Sequence, residues 1–237
     1  MGSIYLIRHG QASFGADDYD VLSATGMRQA QILGQHLLDL GVQFDRCISG
    51  DLRRQQHTAS LALEQYANAG LTPPAIEQDA AFNEFDADAV IRQLLPEILP
   101  QEPEALHILR NGAQHRAEFQ RLFALLIQRW VNGHYSASAV VPSWSSFVEQ
   151  VADGLQRLLQ QAQNKDHIAV FTSGGTITAL LHLITGVSAE QAFELNWQIV
   201  NTSLSRLKFR GSEVALASFN SHVHLELLKA PELITFR

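Results

Sequence analysis

The sequence predicts an α/β fold, a three-layer sandwich of helices around a mostly parallel central sheet. Three observations carry this. Short apolar runs alternate with amphipathic helical stretches at both ends of the chain. Several of those runs pass through a glycine or polar turn straight into a helix, as strands of a parallel sheet do. The composition is that of an ordinary globular protein, with 46% hydrophobic and 17% charged residues. A chain of 237 residues buries roughly 70–75% of its unfolded surface and needs no disulfide or metal staple.

Taken in order, residues 4–7 are a continuous apolar run, as expected of a strand buried on both faces. Ser23 is an N-cap candidate ahead of Ala30, Leu33, Leu37 and Leu40 at helical spacing, and Gly41 ends that helix. Residues 46–49 read as a second short strand. Asp51 is expected to open another helix through Ala59, Leu63 and Tyr66, closed by Asn68 and Gly70, with Pro73-Pro74 as a break. Residues 86–165 are mainly helical, punctuated by Pro96, Pro100 and Pro103, with the strongest periodicity over 118–130 and 147–159. The strand pattern then resumes, so residues 86–164 are read as a helical cap inserted into one domain spanning 1–237. Residues 167–172 form an apolar strand, Gly174-Gly175 a tight turn and residues 177–185 a helix. The runs 203–209 and 214–219 predict a hairpin around Gly211 at a mixed sheet edge.

Composition excludes several function classes. The balance of 17 basic and 24 acidic residues gives a net charge of -7, which disfavours nucleic acid as partner, so any phosphate site must be local. The single Cys47 can form neither an internal disulfide nor a thiolate metal cage. No apolar run approaches ~20 residues, the length of a membrane span. The opening Met1-Gly2-Ser3 leads directly into the first strand without a basic or long apolar leader, so the expected location is cytoplasmic.

In a parallel sheet, ligands bind at the carboxyl ends of the strands. The first strand here ends in Arg8-His9-Gly10. The second ends in Ser49 and runs into Asp51-Leu52-Arg53-Arg54. The late strand ends in Thr172-Ser173-Gly174-Gly175. An imidazole, two guanidinium groups and a helix N-terminus can therefore converge on one crevice. A guanidinium grips phosphate through paired hydrogen bonds, and helix-start N–H groups supply a further anion site. A neutral imidazole can attack phosphorus there, and Glu84 in Phe82-Asn83-Glu84-Phe85 is the candidate proton donor for the leaving oxygen. Each element alone is commonplace: a strand end, a solvated helix face, a surface acid, a turn. Their joint occurrence at strand ends is the signal.

These residues carry a resemblance. Arg8-His9-Gly10, then Leu22-Ser23, Gly26 and Gln29-Ala30, then Ser49 through Leu52, Arg54 and Thr58-Ala59, resemble the histidine phosphatase superfamily with its phosphoglycerate mutase-like fold. The resemblance implies that His9 is the phosphoryl-accepting nucleophile, Arg8 and Arg54 the phosphate clamp and Glu84 the general acid. It implies no metal or organic cofactor, and a small phosphorylated substrate. Ser173-Gly174-Gly175 falls where the family usually has His-Gly-Gly, so Ser173 and Gly174 take the place of its second donor. The loop after His9 departs as well: Ala12 and Gly15 replace the usual threonine and asparagine, with Ser13 as a partial substitute.

The substitution at Ser173 leaves three readings open. The chain is a working serine variant of the phosphatases, a mutase-like phosphotransferase, or a weakened or inactive member that binds phosphorylated ligands without turnover. Loss of a charged donor costs on the order of 10²–10³ in rate, but nucleophile and clamp are intact, which favours the phosphatase. His222 and His224, after the last strand, are spare imidazoles that could substitute for the missing one, but His224-Leu225 is read as capping the fold. The helical insertion should roof the crevice and set the substrate. Arg92, Arg110, Arg116, Arg121 and Arg129 are its available cations, and Trp130, Tyr135 and Trp144 its candidate apolar wall; for each, plain packing or solvation is the simpler reading.

Overall fold

Strand β1 (Gly2–Arg8) lies inside a six-stranded sheet. On one side it pairs in parallel with β4 (His167–Thr172), which pairs in parallel with β2 (Arg46–Ser49), and β2 with β3 (Ile76–Gln78). On its other side β1 pairs antiparallel with β5 (Leu204–Arg210), and β5 antiparallel with β6 (Glu213–Ser221), giving the order β3-β2-β4-β1-β5-β6. The computed structural model describes residues 1–13, 18–112, 114–133 and 141–236; Gly15 and Tyr135 lie outside them.

The continuous apolar run of β1 serves two cores, because successive side chains point to opposite faces. Tyr5 and Ile7, with Cys47, Ala169 and Phe171, pack against Leu33, Leu37, Ala59 and Leu63 of helices α1 (Ala24–Asp39) and α2 (Arg53–Asn68). Ile4 and Leu6, with Ile48, Ile168 and Val170, face the other layer. That layer holds α3 (Ala87–Ile98), α4 (Ala105–Arg110), α5 (Arg116–Val131), α6 (Trp144–Gln161) and α7 (Gly174–Thr185). Leu94, Leu122, Phe147 and Val151 belong to the same buried cluster as Ile4 and Val170, so the helices between β3 and β4 share one core with the sheet. The three layers and the mostly parallel sheet are as the sequence predicts, and the hairpin turns at Gly211 with φ +59.

The structure differs from the sequence expectation at several points. Helix α2 starts at Arg53 rather than Asp51, because the Asp51 N–H is taken by Asn83 Oδ1 at 2.6 Å and the Asp20 carboxylate accepts the Arg53 N–H at 2.8 Å. Pro96 sits inside α3, in its last turn. Gly174 and Gly175 are the first residues of α7, not a turn. Strand β3 and helix α8 (Ala189–Asn196) carried no sequence signal strong enough to predict them. The simpler packing reading holds for Trp130 and Trp144, which are buried in an aromatic cluster with Phe85, Phe147 and Phe193 and form no open wall. Arg121 is engaged by Glu102 at 2.5 and 2.8 Å. Among the described residues no helix is long and apolar enough to cross a membrane, and no cluster of His, Cys, Asp or Glu could hold a metal.

His224, in the short helix α9 (Val223–Glu226), packs as the capping residue the sequence suggested. It is buried, stacks on His36 at 5.4 Å and lies 3.2 Å from Thr202 Oγ1. Burial, with the neighbouring His36 and His222, pushes its pKa down to about 3. Between that value and 6.5 the unfolded chain binds a proton that the folded chain refuses, so stability falls as pH falls. The slope is at most about 1.4 kcal/mol per pH unit for each such histidine. His224→Phe should flatten the loss of stability between pH 7 and pH 4 in denaturant titrations; an unchanged slope would remove His224 from this role.

Candidate active site

The carboxyl ends of β1, β2 and β4 bring the predicted residues together. The exit of β1 is fixed by its neighbours: His9 N–H donates to the Thr172 carbonyl at 2.8 Å, and the His9 carbonyl accepts from Asn201 Nδ2 at 3.0 Å. Gly10 N–H donates to Thr58 Oγ1 of α2 at 3.0 Å. The loop then runs against the start of α1 so closely that a Cβ at Gly10 would lie 2.4 Å from the Gly26 carbonyl oxygen. The His9 side chain is thus seated by backbone contacts on both sides.

His9 is buried, and its imidazole is oriented at both nitrogens. Nδ1–H donates to the Gly10 carbonyl at 2.7 Å, which leaves Nε2 as the lone-pair nitrogen. Nε2 accepts from Arg54 Nε–H at 3.2 Å. Burial first, then the Arg54 and Arg8 charges, hold the His9 pKa well below its ordinary value, against the raising effect of the Gly10 carbonyl. The ring is therefore held in its neutral form at physiological pH, with Nε2 as its lone-pair nitrogen.

Arg54 is positioned from the first turn of α2. Its Nη1 pairs with Asp20 Oδ1 at 2.7 Å and its guanidinium lies over the Tyr19 ring, 5.3 Å from the centroid. Arg8 enters the same crevice and its charge reaches both His9 and Glu84. Its guanidinium, however, donates Nη1 to the Ile199 carbonyl and Nη2 to the Phe236 carbonyl, the latter at 2.8 Å. Gly174 opens α7 beside it, where a Cβ would lie 3.8 Å from Arg8 Nε.

Glu84 follows the short 3-10 turn at Ala80–Phe82 and reaches the start of α7. Its Oε2 accepts from Gly175 N–H at 3.1 Å and its Oε1 from Phe85 N–H at 3.2 Å. A Cβ at Gly175 would fall 2.1 Å from Glu84 Oε1, so this double glycine serves the close approach of a carboxyl. Burial raises the Glu84 pKa, opposed by the Gly175 hydrogen bond and by Arg54 and Arg8. Ser173 is fully buried at the end of β4, its Oγ accepting from Gln55 Nε2 at 2.8 Å. Ser13 is tied by its N–H to the Val21 carbonyl at 2.9 Å, and its hydroxyl makes no hydrogen bond among the described residues.

Four contributors were not found from sequence: Asp20, Tyr19, Asn201 and Gln55. Asp20, Tyr19 and Asn201 lie in loops without a pattern. Gln55 did leave a trace, since Gln55, Thr58, Ala59 and Ala62 form the buried stripe of α2, and a polar residue on such a stripe needs a partner. Together the crevice holds a neutral imidazole, two guanidinium groups, the N-terminus of a twelve-residue helix and a carboxyl whose pKa burial raises. This arrangement suits an anion that accepts a nucleophile at its centre and releases an oxygen needing a proton.

Comparison with known proteins points the same way. The profile of the histidine phosphatase superfamily (branch 1) matches residues 4–222. A curated relative, the serine/threonine-protein phosphatase Pgam5, mitochondrial, of Drosophila willistoni, is 35% identical over 124 residues, covering 51% of this chain and 40% of that protein. The chain thus spans well under half the length of that relative. Among solved structures, phosphoserine phosphatase from Entamoeba histolytica in complex with 3-phosphoglyceric acid superposes with a TM-score of 0.63 at 20% identity, covering 95% of this chain and 100% of that one. Phosphoglycerate mutase from Bacillus anthracis str. Sterne gives a TM-score of 0.62 at 18% identity, covering 96% of each chain. These structural likenesses establish the fold.

Proposed function

The chain belongs to the histidine phosphatase superfamily (branch 1), and we propose that it hydrolyses a small phosphomonoester through a phosphohistidine formed on His9. The observation that supports this most is the state of His9: buried, neutral, with Nδ1–H committed to Gly10 and the Nε2 lone pair directed at Arg54. In this reading an incoming phosphate takes the Arg54 Nε–H in place of His9. Nε2 then attacks phosphorus, the ester P–O bond breaks, and the leaving oxygen takes the proton of Glu84. The Glu84 carboxylate next accepts a proton from water as that water attacks the phosphohistidine. Inorganic phosphate leaves, and His9 and Glu84 return to their starting states.

Arg54 is the principal clamp in this account, because Arg8 already spans two backbone carbonyls. Arg54→Ala should weaken inorganic phosphate binding and lower kcat/KM by on the order of 10²–10³. Arg54→Lys should recover little, since a lysine cannot hold Asp20 and a phosphate in the same fork geometry. Calorimetry with phosphate and a phosphate-release assay over phosphoserine, phosphosugars and phosphopeptides would read both effects and rank substrates. Wild-type phosphate affinity in Arg54→Ala would remove it from the clamp. A second reading has its own support: Arg54 Nε–H caps the nucleophilic nitrogen and the neutral Ser173 occupies the second donor place, as suits a phospholigand binder. Phosphate binding without release from any ester would favour that binder.

A further inference from the structure

We propose that Gln55 and Ser173 act as one donor unit, in which Gln55 is a positioning residue that turns the Ser173 hydroxyl proton toward the phosphoryl oxygens. This deepens the phosphatase reading and rests on it. Gln55 and Ser173 are both fully buried, and a buried carboxamide needs hydrogen-bond partners to offset the loss of its hydration. Gln55 Nε2 lies 3.1 Å from the Phe82 carbonyl and 2.8 Å from Ser173 Oγ. A carbonyl can only accept, so the nitrogen side of the carboxamide faces Phe82, and therefore also faces Ser173. The same Phe82 carbonyl accepts from Thr172 Oγ1 at 2.6 Å, which fixes it in place.

Ser173 Oγ must then accept from Gln55 and keep its own proton for another partner. Among the described residues that proton has no acceptor. Ser173 directly follows Thr172, whose carbonyl holds His9 N–H at 2.8 Å, and it precedes the first turn of α7. A buried O–H left over at a helix N-terminus, one residue beyond the strand position that pairs with the His9 backbone, is placed for an anion. The far side of the carboxamide agrees with this. Among the described residues Gln55 Oε1 is buried without a hydrogen-bond partner, closing against Gly50, where a Cβ would lie 2.0 Å away. Packing alone would be served better by an apolar side chain of the same length. The orphaned oxygen is the cost of keeping an amide N–H on Ser173.

The test is a double-mutant cycle read by orthovanadate affinity, with p-nitrophenyl phosphate turnover alongside. Gln55→Met keeps length and packing but removes the donor, and Ser173→Ala removes the hydroxyl. Ser173→Ala should weaken vanadate roughly tenfold, the worth of one hydrogen bond to an anion. Gln55→Met should weaken it several-fold when Ser173 is present and not at all in the Ser173→Ala background, and kcat should follow with KM unchanged. Equal effects of Gln55→Met in both backgrounds, or none in either, would overturn the proposal. A wild-type protein that binds vanadate without turning over substrate would defeat the phosphatase reading, while the coupling would still decide the donor unit. A wild-type protein that binds no vanadate would overturn both.

Discussion

His9→Ala is expected to lower phosphate release by roughly 10⁴-fold or more, because it removes the nucleophile of the proposed covalent route and leaves positioning and electrostatics. The loss should fall on kcat, with inorganic phosphate affinity kept within a few-fold, since Arg54 is anchored by Asp20 and Tyr19 independently of His9. The pH profile should carry the same residue. The His9 pKa lies well below its ordinary value, so the neutral, attacking form persists into acid, and kcat/KM should fall only once pH drops through that depressed value. An acid limb centred near 6.5 would contradict the buried setting of the ring. Wild-type turnover in His9→Ala would end the histidine mechanism.

Glu84→Gln is expected to slow alkyl phosphates by about 10²–10⁴-fold while leaving aryl phosphates nearly untouched, because only the poor leaving group needs a proton. The direction of the Glu84 shift sets the alkaline side of the profile. Burial raises its pKa, so the carboxyl stays protonated above the ordinary carboxylate range, and alkyl-ester turnover should fall as pH rises through that raised value. Gln carries no such titration, so the variant should lose the alkaline limb on alkyl esters. The folded state is affected in the same sense. A raised carboxyl pKa stabilises the fold below 4.5 and loses that contribution as pH rises through the folded value, so Glu84→Gln should be no less stable at neutral pH than the parent. Equal losses on alkyl and aryl esters would take Glu84 out of the donor role.

Much of this site was legible because its chemistry sits at strand ends. Arg8-His9-Gly10, Ser49 with Arg54, and Thr172-Ser173 each close a readable apolar run, and the sheet order places β1 beside β4 and β4 beside β2. What escaped was set by contacts remote in sequence. Asp20 caps α2 and holds Arg54 from a loop without pattern. Arg8 meets the carbonyls of Ile199 and Phe236, which no local motif announces. Strand β3 has three residues, too few for an alternation to show. Gly174-Gly175 read as a turn because paired glycines usually punctuate, whereas here they let Asn196 and Glu84 approach a helix start. Trp130 and Trp144 follow the simpler reading of their helical periodicity, packing into the core rather than lining a wall.

The most direct test of the central claim is to trap the protein during the proposed turnover. Acting on a phosphomonoester in rapid-quench flow, the wild-type protein should carry one phosphoryl group that is labile in acid, stable in base and located on His9 by peptide mass spectrometry. It should form within a single turnover and decay as phosphate appears. Turnover with no phosphorylated protein at any time, or with the phosphoryl group on another residue, would contradict the account.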